Sequence, residues 1–206
     1  MAAITSDTES WNSHSFSEVE AHIKNRFQEL DPYQGHEYVD FGLPSGTKWA
    51  TMNVGATSAT GYGNYYQYGK GVKTYQTTKT EGKYGGMETP LYLNVDTAAQ
   101  TWGGLWHMPS SAQCQELLDQ CTWTWGTSGG TTGYTVSKNG KSIFLPMAGF
   151  YYFATDTLYD VGSRFNIWTS TPSNTDNSYH LAAGNNDRKV DNYSRFSGFS
   201  VRPVIG

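Results

Sequence analysis

Charge is scarce in this chain. Lys, Arg, Asp and Glu make up 16% of its 206 residues, where soluble domains usually carry about a quarter. At a net charge of -4 there is no basic footprint for nucleic acid and no polybasic patch for an anionic membrane. No run of about 18 apolar residues occurs, and the opening MAAITSDTES has no positive segment ahead of an apolar one. Neither a secretory signal nor a membrane span is therefore expected. On that reading the protein stays inside the cell or leaves by another route, such as within a virus particle.

Cysteine is nearly absent too. Cys114 and Cys121 lie seven apart in MPSSAQCQELLDQC, which reads as a helix capped by Ser110 or Ser111. Seven helical residues rise about 10 Å, beyond disulfide reach, so two buried free thiols are expected rather than a redox pair or metal site. The five histidines never pair at helical metal spacing or sit near a cysteine, and no metal or cofactor is expected. Asp176, Asp187 and Asp191 stand among asparagines without the alternating carboxylates and closing Glu of a calcium loop.

A third absence is local. Residues 166–206 contain no Gln, Glu or Met, whereas residues 1–165 contain 8 Gln, 8 Glu and 5 Met. At the upstream frequency about five would be expected. Either a plain polar loop region happens to lack them, or something excludes them.

What is present points to strands and loops. Aromatics reach 15%, with 15 Tyr and 7 Trp, beside 23 Gly, the make-up of an ordered, loop-rich chain. Ser15 and Glu18 form a capping box, and Phe16, Val19, Ile23, Phe27 and Leu30 follow at helical spacing until Asp31-Pro32. Residues 1–32 are thus expected to be a helical appendage for docking or assembly, and 33–206 one domain. Within it, HEYVDFGLPSGTKWATMNVG reads as a hairpin about Pro44-Ser45-Gly46, and GYTVSKNGKSIFLPMAG as a hairpin about the type I′ pair Asn139-Gly140. Residues 55–90 read as a long loop pinned by tyrosines. A short helix is expected near Asp96 to Gln100, and short strands around Phe150, Ile167, Tyr179 and Val201. Two or three helices against many short mixed or antiparallel strands and long ordered loops predict an α+β fold. Gly126-Thr127-Ser128-Gly129-Gly130 has the letters of a nucleophile elbow, but a strand rather than a helix should follow, so it reads as a glycine turn.

Several ordered stretches carry a resemblance: EYVDFGLPSGTKWATMNVG, WGGLWHMPSSAQCQELLDQCTWTW, SIFLPMAGF, IWTSTP and GFSVRPV. Together they resemble a paralogous surface-protein domain of gut anaerobic bacteria and their phages, a resemblance spanning residues 36–204. It implies a C-type lectin-like fold of the formylglycine-generating-enzyme-like branch, and likeness to the variable proteins of diversity-generating retroelements. SWNSHSFSEVEAHIK resembles the opening of phage tail-associated proteins.

In such retroelements a reverse transcriptase rewrites adenines, and an AAC codon so rewritten becomes NNC, which never encodes Gln, Glu, Met, Lys or Trp. The family's constant framework matches Trp168 to Pro172, Leu181, Val190, Arg195, Gly198, Phe199 and Val201 to Pro203. The positions that the resemblance implies vary, and bind ligand, are Phe165, Ile167, Ser173, Asp176, Asn177, His180, Ala182, Gly184, Asn186, Asp187, Asp191, Tyr193, Ser194, Phe196 and Ser197. Their alternation with framework residues suits strands that send every second side chain to one exposed face. Lys189 departs from the pattern, since NNC cannot encode it, and must be a fixed position on this reading.

The expected function is a non-enzymatic display protein whose variable region, about 165–197, binds a protein or glycan receptor on a bacterial surface, carried on a virion tail or held at the bacterial cell surface. The N-terminal helix would join other tail proteins or copies of itself. The competing readings are a non-diversified bacterial surface or glycan-binding module and an oxidase of the formylglycine-generating type. That oxidase needs a pair of C-terminal cysteines, and none follows Cys121.

Overall fold

The computed structural model describes residues 15–20, 31–68, 96–152 and 157–206. Within them three helices accompany eleven strands: α1 (16–20), α2 (Thr97–Trp102) and α3 (Ser111–Gln120). The strands are β1 (Tyr38–Asp40), β2 (Lys48–Ala50), β3 (Thr122–Ser128), β4 (Thr131–Lys138), β5 (Lys141–Pro146), β6 (Phe150–Tyr151), β7 (Leu158–Tyr159), β8 (Arg164–Pro172), β9 (Asn177–Gly184), β10 (Arg188–Ser194) and β11 (Val204–Ile205). They form four small antiparallel sheets, ordered β1-β2-β11, β10-β9-β8, β3-β4-β5 and β6-β7.

This corrects the expected fold class. The protein is mostly β rather than α+β, and the C-type lectin-like expectation is not met. The residue types explain the shift. Strand-forming Thr, Trp, Tyr and Val fill TWTWGTS and TTGYTVSK, so β3, which the sequence reading left out, joins the β4-β5 hairpin as a three-stranded meander. Strands β8, β9 and β10 are long rather than short, at 9, 8 and 7 residues. GFSVRPV is not one strand: Phe199 and Ser200 make isolated bridges to Tyr66 and Ile167, and only Val204–Ile205 pairs regularly, with β2.

Local signals hold where their chemistry is local. Ser15 N–H donates to Glu18 Oε2 at 2.7 Å and Glu18 N–H to Ser15 Oγ at 3.4 Å, the expected capping box. Phe16 is exposed, and Ile23, Phe27 and Leu30 lie outside the described residues. Asp96 caps α2 and Ser110 caps α3, the latter reciprocally with Gln113. Asn139 and Gly140 both take positive φ, 53° and 73°, as a type I′ turn requires. Gly129 and Gly130 do the same between β3 and β4, so the nucleophile-elbow letters are a turn. Tyr66 and Tyr68 are buried, as a tyrosine-pinned loop should have them, while residues 69–90 of that loop lie outside the described residues.

Two apolar clusters lie on the two faces of the β8-β9-β10 sheet. On one face Phe165, Ile167, Leu181 and Ala183 join Cys114 and Leu117 of α3 and Tyr134, Val136, Ile143 and Leu145 of the meander. On the other, Trp168 stacks on Phe199 at 4.1 Å between ring centroids and donates its indole N–H to the Tyr66 carbonyl at 2.7 Å. A fully buried tryptophan of this kind contributes about 3–5 kcal/mol. Arg202 is wholly buried as well. Its guanidinium donates to Asn53 Oδ1 and to the Ala50 and Phe144 carbonyls at 2.8–3.0 Å, tying three segments together. Both cysteines are free, Cys114 in the core and Cys121 half-buried at the end of α3. Burial pushes both thiols up, Cys114 further.

Residues 31–33 are hydrogen-bonded into the domain. Pro32 accepts from Leu105 N–H, Tyr33 accepts from the Trp106 indole at 2.7 Å, and the Asp31 carboxylate accepts from Tyr33 and Gly35.

Candidate ligand-binding face

Register decides which side chains share the outer face of the β8-β9-β10 sheet. Asn166 lies opposite Ala182, which lies opposite Lys189; Trp168 lies opposite His180, which lies opposite Asp191; Tyr193 lies opposite Ser178. Directly opposed residues project to the same side. The face away from α3 therefore carries Asn166, His180, Ala182, Lys189, Asp191 and Tyr193.

A cavity of about 330 Å³ opens on that face. Its walls include His180, Ala182, Asp191 and Tyr193, four of the expected variable positions. Asn166 and Arg164 of β8, Phe150 of β6, Asp160 after β7, and Phe199 complete it. None of those five was among the expected ligand positions. Asn166 reaches the cavity only through the register of β8 on β9, and Phe150, Asp160 and Phe199 arrive from separate segments and leave no local signal.

The lining is aromatic on one side and charged on the other. Phe150, Tyr193 and Phe199 pack mutually with centroids 5.8–6.1 Å apart. Arg164 lies 4.0 Å from Asp160 and 3.5 Å from Asp187, and Lys189 Nζ lies 2.7 Å from Asp191. The Lys189 ammonium, hydrogen-bonded to Asp191, holds that carboxyl below its ordinary range. His180 is 4% exposed. Burial lowers its pKa to about 4, against the opposing pull of Asp191, so its imidazole is neutral at pH 7. Two nitrogens on this lining, Asn166 Nδ2 and His180 Nδ1, are buried without a hydrogen-bond partner.

The other expected positions fall in three places. Ser173, Asp176 and Asn177 form the β8-β9 turn, where Asn174 Oδ1 accepts from the Asp176 and Asn177 amides. Asn186 and Asp187 are exposed in the β9-β10 turn, and Ser194 and Phe196 are half-buried just after β10 begins to end. The rest are corrections. Phe165 and Ile167 project to the opposite face and are core residues, each 1% exposed. Ser197 is fully buried, and Gly184 is buried where a Cβ would crowd Asp187 Oδ1 at 2.6 Å. In β9 His180 and Ala182 line the cavity while Leu181 and Ala183 face α3 and the meander, but His180 to Gly184 are all buried rather than forming an exposed face, and in β8 the residue on the cavity side is Asn166. Lys189 is half-exposed and sits at the sheet's edge.

Among the described residues no group of three or more His, Cys, Asp or Glu is placed to hold a metal ion, and no helix is long and apolar enough to cross a membrane. Comparisons with protein-family models, with curated proteins and with solved structures found no match.

Proposed function

We propose that this protein is a receptor-binding display protein. Its C-terminal sheet face contacts a ligand on a bacterial surface, and retroelement rewriting of adenines varies the contact residues. The observation that carries the reading is the cavity. Four positions whose residue types the NNC codons allow, His180, Ala182, Asp191 and Tyr193, converge on its walls. They stand beside a packed frame of Trp168, Leu181, Phe199, Val201 and Arg202, all 1% exposed or less. At the half-buried positions Asp191 and Tyr193 such a division lets contact residues change while the fold persists, because substitutions away from the core cost little stability. Carriage on a virion tail rests on the resemblance of residues 10–24 and on nothing in the cavity.

Adsorption of the purified chain to a panel of gut bacterial strains tests the proposal. Wild type should bind at least one strain saturably. Asp191→Ala should weaken that binding at least tenfold with little change in melting temperature, since a half-exposed ion pair is worth about 0–1 kcal/mol. Undiminished binding by Asp191→Ala would place the contact elsewhere. Sequencing of the flanking DNA addresses diversification separately: a near-identical repeat differing only at adenines is the expected result.

A further inference from the structure

The cavity is specific enough in its chemistry to name a ligand class. We propose that it seats a neutral sugar ring, one residue of a surface glycan, with the ring's C–H face against the aromatic wall and its hydroxyls toward Asp160, Arg164, Asn166 and Asp191. This rests on the receptor-binding reading and deepens it.

Size comes first. At about 330 Å³ the cavity lies at the small end of ligand pockets, room for one or two sugar rings and too short for a helix or an extended peptide. Next comes charge. Asp160 and Asp187 share the single cation Arg164, and Asp191 pairs with Lys189, so both signs of charge stand at the rim and every carboxylate lies within 4.0 Å of a cation. On the lining itself an ammonium ligand would meet Arg164, and an anionic one would meet Asp160 and Asp191. A neutral ligand rich in hydroxyls meets no such opposition. It can donate to carboxylates and accept from the guanidinium, and hydrogen bonds with one charged partner are the stronger kind.

The unpartnered atoms point the same way. Asn166 and His180 are 5% and 4% exposed, and both line the cavity. Asn166 Nδ2 and His180 Nδ1 are both buried without a hydrogen-bond partner, an arrangement that is unfavourable as it stands. A hydroxyl both donates and accepts, so it suits either nitrogen once the side chain turns to expose it. Because the terminal torsion of Asn is soft, a modest rotation of the Asn166 amide presents its donor to a hydroxyl on the cavity floor. Finally, Phe150, Tyr193 and Phe199 form a continuous apolar wall. Tyr159 and Val161, 41% and 44% exposed, flank Asp160 at the rim, giving a longer glycan somewhere apolar to rest.

The test uses the full chain and saturation-transfer NMR with glucose, galactose, mannose, N-acetylglucosamine and N-acetylgalactosamine at millimolar concentration. Saturation should pass to the ring protons of at least one sugar. Asp191→Asn and Tyr193→Leu should each weaken that binding at least tenfold, while Lys141→Ala, on the exposed end of the meander, should leave it unchanged. Equal transfer in wild type and both cavity variants would overturn the assignment. A second arm separates this inference from the one beneath it: adsorption to a bound bacterial strain is measured after periodate, which cleaves vicinal diols, and after protease. Loss on periodate supports the sugar. Survival of periodate with loss on protease overturns it and points to a polypeptide receptor, leaving the receptor-binding reading intact. Absence of adsorption to every strain overturns both.

Discussion

Lowering the pH should destabilise this protein through His180 before its carboxylates titrate. The imidazole is buried beside Trp168, Tyr193 and Phe199, and its pKa falls from 6.5 to about 4 on folding because burial disfavours the cation. Arg164 and Lys189 lower it further and Asp191 partly opposes them. Between those two values the unfolded chain holds a proton that the folded chain does not, so stability falls as pH falls from about 6.5 and levels off below about 4. One pH unit of difference corresponds to about 1.4 kcal/mol, so the full effect is about 3 kcal/mol, of which about 2 kcal/mol should already be lost between pH 7.5 and pH 5.0. At pH 5.0 Asp191, held below its ordinary range by Lys189, is still ionised. Urea unfolding of wild type and His180→Gln at both pH values isolates the contribution, because His36, whose pKa burial also lowers, is common to both. The wild type should lose about 2 kcal/mol more than the variant. Equal losses would refute the reasoning and mean that His180 carries its proton in the folded state or is open to water.

Two further predictions concern the frame. Arg202→Met keeps the buried stem but leaves Asn53 Oδ1 and the Ala50 and Phe144 carbonyls without their donor. A loss of about 3 kcal/mol in urea unfolding is expected, and a loss below about 1 kcal/mol would show that water replaces the guanidinium. Gly126 and Gly133 are cross-strand partners with opposite surroundings. A Cβ on Gly133 would run into the Leu145 carbonyl oxygen and the Phe144 ring, whereas one on Gly126 meets nothing within 4 Å. Gly133→Ala should therefore cost about 1–3 kcal/mol and Gly126→Ala less than about 0.5 kcal/mol, read from the same denaturation curves.

Features governed by neighbours in sequence were legible from the chain alone. The capping box at Ser15, a helix cap at Ser110 or Ser111, the Asn139-Gly140 turn, the hairpin about Pro44-Ser45-Gly46 and the separation of the two cysteines all depend on residues close in sequence. So did the alternation along β9, because the pleat is a property of a single strand. The balance of helix and strand was not legible. The short helices α2 and α3 were correctly located, yet TWTWGTS and RKVDNYS gain their strand character from the partners they pair with, β4 and β9, and those pairings are tertiary.

The phase of β8 was decided by tertiary structure alone. Within one strand the sequence determines that Phe165 and Ile167 share a face and Asn166 and Trp168 the other, but not which face is buried. The β8-β9 connection carries a register irregularity between Trp168 and Pro172, and where such an irregularity falls cannot be counted from loop length. Packing settles it: Phe165 and Ile167 go against α3 and the meander, where their burial is worth most, and Asn166 is left to the cavity. The same closure carries Phe150, Asp160 and Phe199 to that cavity from three separate segments. Composition and codon pattern thus delimited a region of the chain, while strand register and the apolar core determined which of its side chains meet at one opening.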